Sequence, residues 1–372
     1  MKPARVLWLI KGLGLGGAER LLATMAAKVD RERFDIEVAY LLPWSASFGP
    51  EFDAVGVRTV CLDARWTAEF GWPNRLSRLL RNRDYALIHT HSPVPAIAAR
   101  VLAARDVPLM HTEHNLWSSY RLPTYLANAA TFGRNVAAIA VSDAVRDSMN
   151  RPTWLGGDPL PPIETLHHGV DLDELHHGTA AREAARSLLG VDDGVPVIGS
   201  VASFTPQKDH AGLLAAFDRV RERIPGVQLV LIGSGPLEQQ VRGLVAKHRL
   251  QDHVRFLGAR DDVATLLPGL DLFVLGSRFE GLPISLLEAM ASQVACIAAR
   301  VGGIPEALRD GRDGRLVPPG DPPALADAIV GLLNDVPTRS ALAAAGYERV
   351  RADFSIERAV RRTEELYEEV LS

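Results

Sequence analysis

The feature that most constrains this 372-residue chain is a regular alternation of short apolar segments with amphipathic, helix-like segments. Such alternation predicts an α/β protein, in which parallel sheets carry helices on both faces. The predicted strands occupy residues 5–10, 36–42, 57–63, 85–91, 107–113, 136–142 and 163–168 in the first half, and residues 195–202, 227–233, 254–258, 270–277, 295–300 and 315–319 in the second.

The length of the chain favours two domains, because one hydrophobic core rarely organises so many residues. We place the first domain at residues 1–172 and the second at residues 173–355. The hinge is expected near residues 171–194, where a short helix rich in Ala and Arg precedes the second set of strands. Residues 151–162 are rich in Pro and Gly, but a strand follows them, so we assign them to a loop of the first domain.

Charge and cysteine content exclude several classes of protein. The 41 basic and 45 acidic residues give a net charge of −4, which offers no bulk attraction for nucleic acid. Cys61 and Cys296 are far apart in apolar contexts, a pattern typical of a reducing compartment. The N-terminal apolar run is too short for a signal peptide, and no stretch is long enough to cross a bilayer. We therefore expect a cytoplasmic protein.

The sequence EGLPISLLEAM, which begins at Glu280, places two carboxylates around the start of a helix. Pro283 suits a first helical turn and Gly281 allows a ligand close to the backbone, so Glu280 precedes the helix and Glu288 lies inside it. The N–H groups near Gly281 and Leu282 would point outward with the positive end of the helix dipole, where a phosphate binds well. The pattern indicates an anion site with a carboxylate on either side.

Three interpretations of this segment stay open on its residues alone. Paired carboxylates also hydrolyse glycosides, but that function gives the helix terminus no role. A sugar nucleotide would use one carboxylate for sugar hydroxyls, the helix terminus for the diphosphate and the other carboxylate for the ribose. The third interpretation is structural, with Glu280 in a solvated loop and Glu288 as a capping or ion-paired residue.

Nearly the whole chain resembles the retaining, nucleotide-sugar-dependent glycosyltransferases of family 4. The family's E-x7-E element is matched by Glu280 and Glu288 and is followed by EAMA, and LIGSGPL, VRFLGARDDV and VGGIPEALRDGRDGRLV stand around it in family order. The resemblance implies the GT-B arrangement, in which two Rossmann-like domains face each other across a cleft. The first would bind the acceptor and the second the nucleotide sugar, while a C-terminal helix at residues 356–372 would pack back on the first domain.

The resemblance also implies roles for individual residues. Glu280 would contact hydroxyls of the donor sugar, Glu288 the ribose, and Lys208 the donor diphosphate. Ser203 stands where many members carry an arginine, so a charge-assisted contact of roughly 1.5–3 kcal/mol gives way to a weaker hydroxyl partner. We predict that Lys208, Glu280 and His114 are catalytic. The predicted donor-binding residues are Gly16, Gly17, Ser203, Lys208, Arg260, Glu280, Gly281, Leu282, Pro283 and Glu288.

The glycines that follow the first predicted strand have a rival interpretation. Gly12, Gly14 and Gly17 satisfy G-x-G-x-x-G, the fingerprint of nicotinamide dinucleotide binding. That fingerprint requires an acidic residue at the end of the second strand, whereas Glu37 lies near its beginning. We interpret the loop instead as the family's glycine turn, with Gly16 and Gly17 facing the phosphates and the acceptor.

Histidines are numerous enough to suggest a metal, but no carboxylate or cysteine completes a set of ligands with them. His114 ends a predicted strand and resembles the family histidine near the donor sugar, a structural role being the alternative. The D-x-D of Asp171 and Asp173 is interpreted as a helix-capping sequence. The histidine pairs are His89 with His91, His111 with His114, His167 with His168, and His176 with His177. We predict no metal and no cofactor.

The resemblance predicts a metal-independent hexosyltransferase that moves a sugar from a UDP-, GDP- or ADP-sugar to a hydroxyl acceptor, with retention. The expected acceptor is a glycan or a lipid-linked saccharide in cell-surface polysaccharide or glycolipid synthesis. One alternative is a nucleotide-sugar epimerase or hydrolase. Another is a catalytically weak nucleotide-sugar-binding partner of a second transferase, an idea that rests on Ser203.

Basic and aromatic residues of the first domain have two interpretations. They would either contact the inner face of an anionic membrane peripherally, or form a solvated helix face and a loop that lines the cleft. The residues are Arg75, Arg78, Arg81, Trp117, Tyr120 and Tyr125.

Overall fold

The computed structural model describes residues 2–43, 47–65, 71–155, 159–175 and 177–372. The chain divides into two compact units, of which the first comprises Met1–Gly169 and Ile356–Ser372 and the second Val170–Ser355. Each unit is built around its own parallel sheet. His176 of the predicted histidine pairs lies outside the described residues.

The first unit alternates strands and helices as the sequence pattern predicts. Its elements are β1 Ala4–Ile10, α1 Gly17–Lys28, β2 Phe34–Tyr40, α2 Gly49–Ala54, β3 Arg58–Cys61, α3 Gly71–Arg81, β4 Leu87–Thr90, α4 Pro93–Leu102, β5 Leu109–Glu113, α5 Leu122–Thr131, β6 Ala137–Ala140, α6 Asp143–Ser148 and β7 Ile163–Thr165. Within the described residues, the seven strands form one parallel sheet in the order β3-β2-β1-β4-β5-β6-β7.

The second unit repeats this architecture. Its elements are α7 Thr179–Leu189, β8 Val197–Val201, α8 His210–Arg223, β9 Gln228–Ile232, α9 Glu238–Lys247, β10 Val254–Gly258, α10 Val263–Leu266, β11 Leu272–Leu275, α11 Ile284–Ala291, β12 Ala295–Ala299, α12 Ile304–Ala307, β13 Arg315–Val317, α13 Pro322–Asn334 and α14 Val336–Asp353. The part of this unit that is described forms a six-stranded parallel sheet in the order β10-β9-β8-β11-β12-β13.

The last helix, α15 at Ile356–Leu371, packs in the first unit. The hydroxyl of Tyr367 accepts a hydrogen bond from Trp8 Nε1 at 2.9 Å and lies 2.6 Å from Nδ1 of His89. Glu364 accepts from the backbone N–H of Asp30 at 2.7 Å, and Arg362 forms two hydrogen bonds of 2.7 Å to Glu164. The apolar face of the helix and these hydrogen bonds together hold the helix in place.

The predicted hinge region forms part of the second unit. Helix α7 lies there, and Arg182 donates to Asp271 at 2.7 Å while Arg186 donates to the carbonyl oxygen of Val195 at 2.7 Å. These contacts attach α7 to the sheet, because Asp271 immediately precedes β11. Over the described residues, no helix is both long and apolar enough to cross a membrane.

Each sheet has one point where the strand order reverses direction. In the first unit this point lies between β1 and β4, and in the second between β8 and β11. Ligands of such sheets bind outside the carboxyl ends of the strands at this position. A ligand site in the second unit is therefore expected at the residues that follow β8 and β11.

Candidate active site

The loops after β8 and β11 bring Lys208 and Glu280 together. Lys208 ends a short 3-10 turn, Pro206–Lys208, and Nζ lies 2.6 Å from Oε1 of Glu280. The side chains are only 16% and 5% exposed. In so little water an ion pair interacts more strongly than on the surface, and loss of either partner leaves an uncompensated charge.

Two further residues hold the Glu280 carboxylate. The Ser277 hydroxyl donates to Oε1 at 2.6 Å, and Gln207 Nε2 donates to Oε2 at 3.1 Å. Gln207 Nε2 also donates to the carbonyl oxygen of Phe279 at 3.0 Å, which ties the two loops together. Gln207 and Ser277 were not predicted from the sequence, although Gln207 adjoins Lys208 and Ser277 ends a predicted strand.

A glycine turn after β12 supports the loop that carries Glu280. Gly302 has a φ of +50°, and a Cβ atom there would lie 1.8 Å from the carbonyl oxygen of Glu280. The N–H of Gly303 donates to the carbonyl oxygen of Gly281 at 3.0 Å. Only glycine allows this approach, so the V-G-G motif shapes the site by backbone contact.

The start of α11 follows the sequence prediction. Pro283 is the N-cap and the helix runs over Ile284–Ala291, so Glu280 precedes it and Glu288 lies within it. Leu282 and Glu288 are each 5% exposed, and Glu288 has an interaction partner in the structure. The roles of Gly281, Leu282, Pro283 and Glu288 in donor binding stay predictions.

Ser203 and Arg260 are the remaining predicted donor-binding residues of the second unit. Ser203 is exposed, and its carbonyl oxygen accepts from the N–H of Thr205 at 2.8 Å. Arg260 follows the edge strand β10 and pairs with Asp262 at 2.7 and 2.5 Å. No contact within the described residues links either one to Lys208 or Glu280, so their roles also stay predictions.

A neutral histidine adjoins Lys208. His210 begins α8 and stacks on Phe204, with a distance of 4.4 Å between ring centroids. Burial, and then the positive charge of Lys208, lower the pKa of His210 to about 4. Because this imidazole stays neutral near pH 7, Lys208 is the positively charged member of this pair.

In the first unit, Gly16 and Gly17 stand at the beginning of α1. Gly16 is the N-cap, and a Cβ atom on it would lie 2.3 Å from Oε2 of Glu19. The Glu19 carboxyl therefore lies over the glycine turn, where burial raises its pKa to about 7. Glu37 is buried against Arg83 and Tyr85, which gives this carboxylate a structural role.

His114 is the middle member of a row of three imidazoles that we call the histidine ladder, His91, His114 and His168. The His114 ring nitrogens lie 3.3 Å from Nδ1 of His91 and 3.3 Å from Nε2 of His168. Burial is the main cause that lowers the pKa of His114 to about 4. Both of its nitrogens are engaged, so binding of a sugar hydroxyl would require one of these hydrogen bonds to open.

Two members of the ladder, His91 and His168, border a cavity of about 20 Å³, lined also by His89 and Thr112. Nε2 of His91 has no hydrogen-bond partner within the described residues, and the volume suits about one water molecule. No group of three or more His, Cys, Asp or Glu side chains in the described part of the chain could hold a metal ion.

The structure describes the contacts of the basic and aromatic residues for which the sequence left two interpretations open. Trp117 and Tyr120 both donate to the Glu113 carboxylate, Trp117 at 2.8 Å. Arg75 donates to the carbonyl oxygen of Leu62 at 2.5 Å and is not a free surface cation. Trp117 is buried, Arg75 and Tyr120 are half-buried, and Arg78 and Arg81 are exposed.

The interpretation of Asp171 as a helix cap is wrong. Its Oδ1 accepts from the N–H of Asp173 at 3.1 Å within a turn, and the next helix begins only at Thr179. A side chain caps a helix through the first-turn N–H groups, which lie too far along the chain here.

Comparison with known sequences decides the family. The family described as glycosyl transferases group 1 matches residues 181–349, and glycosyltransferase family 4 matches residues 15–174. The phosphatidyl-myo-inositol mannosyltransferase of Mycobacterium leprae is 32% identical over 76% of this chain and 74% of its own length. The chain belongs to the family 4 glycosyltransferases. This family 4 chain is also 30% identical to the alpha-maltose-1-phosphate synthase of Mycolicibacterium smegmatis, over 78% and 81% of the two lengths.

Solved structures agree on the fold of this family 4 glycosyltransferase. Anabaena HepE, crystallised with UDP and glucose, gives a TM-score of 0.84 at 21% identity, over 98% of this chain and 100% of HepE. The sucrose-phosphate synthase of Thermosynechococcus elongatus gives 0.83 at 23% identity, over 98% and 99%. The predicted fold class, two Rossmann-like domains of the GT-B type, is confirmed.

Proposed function

We propose that this glycosyltransferase transfers a hexosyl group from a nucleoside-diphosphate sugar to a hydroxyl acceptor, with retention of configuration and without a metal ion. The observation that carries the proposal is the Lys208–Glu280 pair at the switch point of the second sheet. Its placement follows the general rule for ligand binding in doubly wound sheets. HepE, which has the same fold, was crystallised with UDP and glucose.

Lys208 would act on the leaving group. Negative charge grows on the diphosphate as the bond to the sugar breaks, and an ammonium group already in place stabilises that charge without reorganisation. Glu280 keeps Lys208 oriented through the 2.6 Å contact. We infer that this charge replaces the metal that other transferases use.

Glu280 would also accept a hydrogen bond from a hydroxyl of the donor sugar. Its carboxylate is held by Ser277 and Gln207, so it is preorganised for a ligand. We assign the donor to the second unit and the acceptor to the first. Gly16 and Gly17, predicted to bind the donor, and His114, predicted to be catalytic near the donor sugar, stay predictions. The acceptor we propose is a glycan or a lipid-linked saccharide, because one relative is named for mannosyl transfer to phosphatidyl-myo-inositol.

The proposal includes peripheral membrane contact. Arg78 and Arg81 on α3 are exposed and available to anionic lipid headgroups. Arg75, Trp117 and Tyr120 do not support it, since each donates a hydrogen bond to another residue of the first unit.

The test starts with donor binding. Thermal melting of the purified protein is measured with UDP-glucose, UDP-N-acetylglucosamine, GDP-mannose and ADP-glucose, because a ligand of the native state raises the melting temperature. The best donor is then incubated with polyprenyl-linked and glycan acceptors, with and without EDTA, and nucleoside diphosphate release is followed. We expect acceptor-dependent release that EDTA leaves unchanged, and an anomeric coupling in the product that matches the donor.

Other outcomes would favour the alternatives. An epimerised donor or rapid release of free sugar without acceptor would contradict a transferase. Tight donor binding without turnover on any acceptor would indicate a nucleotide-sugar-binding partner. In that case Ser203→Arg restores the cation that many members of the family carry, and recovered turnover would locate the defect at that position.

A further inference from the structure

Gln207 occupies an unusual position beside the Glu280 carboxylate. Its side-chain nitrogen has two acceptors, the carbonyl oxygen of Phe279 at 3.0 Å and Oε2 of Glu280 at 3.1 Å. Its backbone carbonyl oxygen accepts from the N–H of Arg278 at 2.8 Å. The residue is therefore fixed at both its backbone and its side chain.

These contacts determine which way the amide faces. Both neighbours of Nε2 are oxygens that can only accept hydrogen bonds, so the nitrogen of the amide, and not its oxygen, must contact them. Each of the two hydrogens on Nε2 is then used in one hydrogen bond. The amide oxygen of Gln207 is then the atom of the amide that does not bond to the carboxylate. No donor within the described residues bonds to it, and Gln207 is only half-buried.

The carboxylate itself has one acceptor position left. Oε1 of Glu280 accepts from Lys208 and Ser277, each at 2.6 Å, which uses both of its lone pairs. Oε2 accepts from Gln207 alone and keeps one lone pair. Two free acceptors, one charged and one neutral, therefore belong to adjoining side chains.

We propose that Gln207 and Glu280 together recognise two adjacent hydroxyls of the transferred sugar, one on the Gln207 amide oxygen and one on Oε2 of Glu280. A pair of acceptors suits a vicinal diol, because each hydroxyl donates one hydrogen bond. The site would then select sugars with two free neighbouring hydroxyls. This inference rests on the proposed function, since it requires the sugar to lie at Glu280.

The experiment is a coupling measurement by calorimetry. Wild type, Gln207→Leu and the control Gln240→Leu, which alters an exposed glutamine on α9, are titrated with UDP, GDP, ADP and with UDP-glucose, GDP-mannose and ADP-glucose. The best donor is then replaced by its analogues that lack one ring hydroxyl each. We expect Gln207→Leu to weaken the complete donor about tenfold and the diphosphate alone less than twofold.

The decisive readout is the analogue that lacks the hydroxyl bound by Gln207. The ratio of affinities between wild type and Gln207→Leu should be smaller for that analogue than for the complete donor, because the direct contact is already absent. A purely structural role of Gln207 would instead weaken every analogue by the same factor, and that result would overturn the inference. If Gln207→Leu does not fold, the affinities of wild type for the analogues decide. Affinity should then fall when either of two adjacent hydroxyls is removed. A loss at a single hydroxyl, or at two that are not adjacent, would contradict the proposal.

The two proposals fail in different ways. Wild type that binds none of the three nucleotide sugars would overturn the proposed function and this inference with it. Wild type that binds a donor, but shows no coupling between Gln207 and any hydroxyl, would overturn this inference alone.

Discussion

Nζ of Lys208 lies 2.6 Å from Oε1 of Glu280, although 72 positions separate the two residues in the sequence. Ser277 shares the same carboxylate oxygen at 2.6 Å. The pair is largely removed from water, so each charge depends on the other. This relationship gives the second unit a preorganised cation beside a preorganised carboxylate.

Removal of either member should impair turnover. We expect Lys208→Ala and Glu280→Gln each to lower kcat by at least about tenfold, because each removes charge that stabilises or orients the transition state. The matched controls are Lys247→Ala and Glu348→Gln, which alter exposed residues of the same unit. Rates near that of wild type in the first two variants would contradict the assignment of the site.

Gly302→Ala should displace the loop that carries Glu280. Its Cβ atom would lie 1.8 Å from the carbonyl oxygen of Glu280, so the loop must move. We expect loss of donor binding by calorimetry and a decrease of about 1–3 kcal/mol in the free energy of unfolding. Gly311→Ala is the control, because Gly311 has a φ of +70° and open space around its Cβ position. Equal donor binding by the two variants would refute the role of Gly302.

The histidine ladder should make the first unit sensitive to acid. Burial holds the pKa of His91 and His168 well below 6.5 and lowers that of His114 to about 4. Below pH 6.5 the unfolded chain therefore binds more protons than the folded chain, so the free energy of unfolding falls as pH decreases. The decrease is about 1.4 kcal/mol per pH unit for each imidazole that stays neutral in the folded state. For His114 this decline ends near pH 4.

His168→Asn isolates this effect. Glu19 acts in the opposite direction, since its raised pKa favours the folded state as pH falls from about 7. The test therefore compares the slope of the free energy of unfolding against pH between wild type and the variant. Urea unfolding is followed by tryptophan fluorescence, which reports the first unit because all six tryptophans precede residue 170. We expect a shallower pH dependence in the variant, and parallel profiles would disprove the contribution of the ladder.

Tyr367→Phe should loosen the C-terminal helix. The mutation leaves Trp8 Nε1 and His89 Nδ1 without the buried hydroxyl that they contact at 2.9 and 2.6 Å. Unsatisfied buried polar groups cost about 1–3 kcal/mol, which should appear as a lower free energy of unfolding of the first unit. Tyr347→Phe, in the second unit, is the control, and an equal effect of both variants would contradict the prediction.

Much of this protein follows from local sequence. Alternating apolar segments predicted the strands and the division into two α/β units, because the pattern of burial repeats within each strand and helix. The position of Glu280 before α11 and of Glu288 inside it followed from Pro283 and the helical spacing. The family signature predicted Lys208 and Glu280 as partners of one ligand, but not their contact with each other.

The sequence by itself determined which segments become strands and helices and which loops carry the charged residues, since these depend on neighbours a few positions away. Only the tertiary structure decided that β8 lies beside β11, which brings the loops of Lys208 and Glu280 together and places Gln207 and Ser277 on the same carboxylate. It also turned Trp117 and Tyr120 inward onto Glu113. The physical reason is that strand order and side-chain partners depend on packing between residues distant in sequence, which no local pattern encodes.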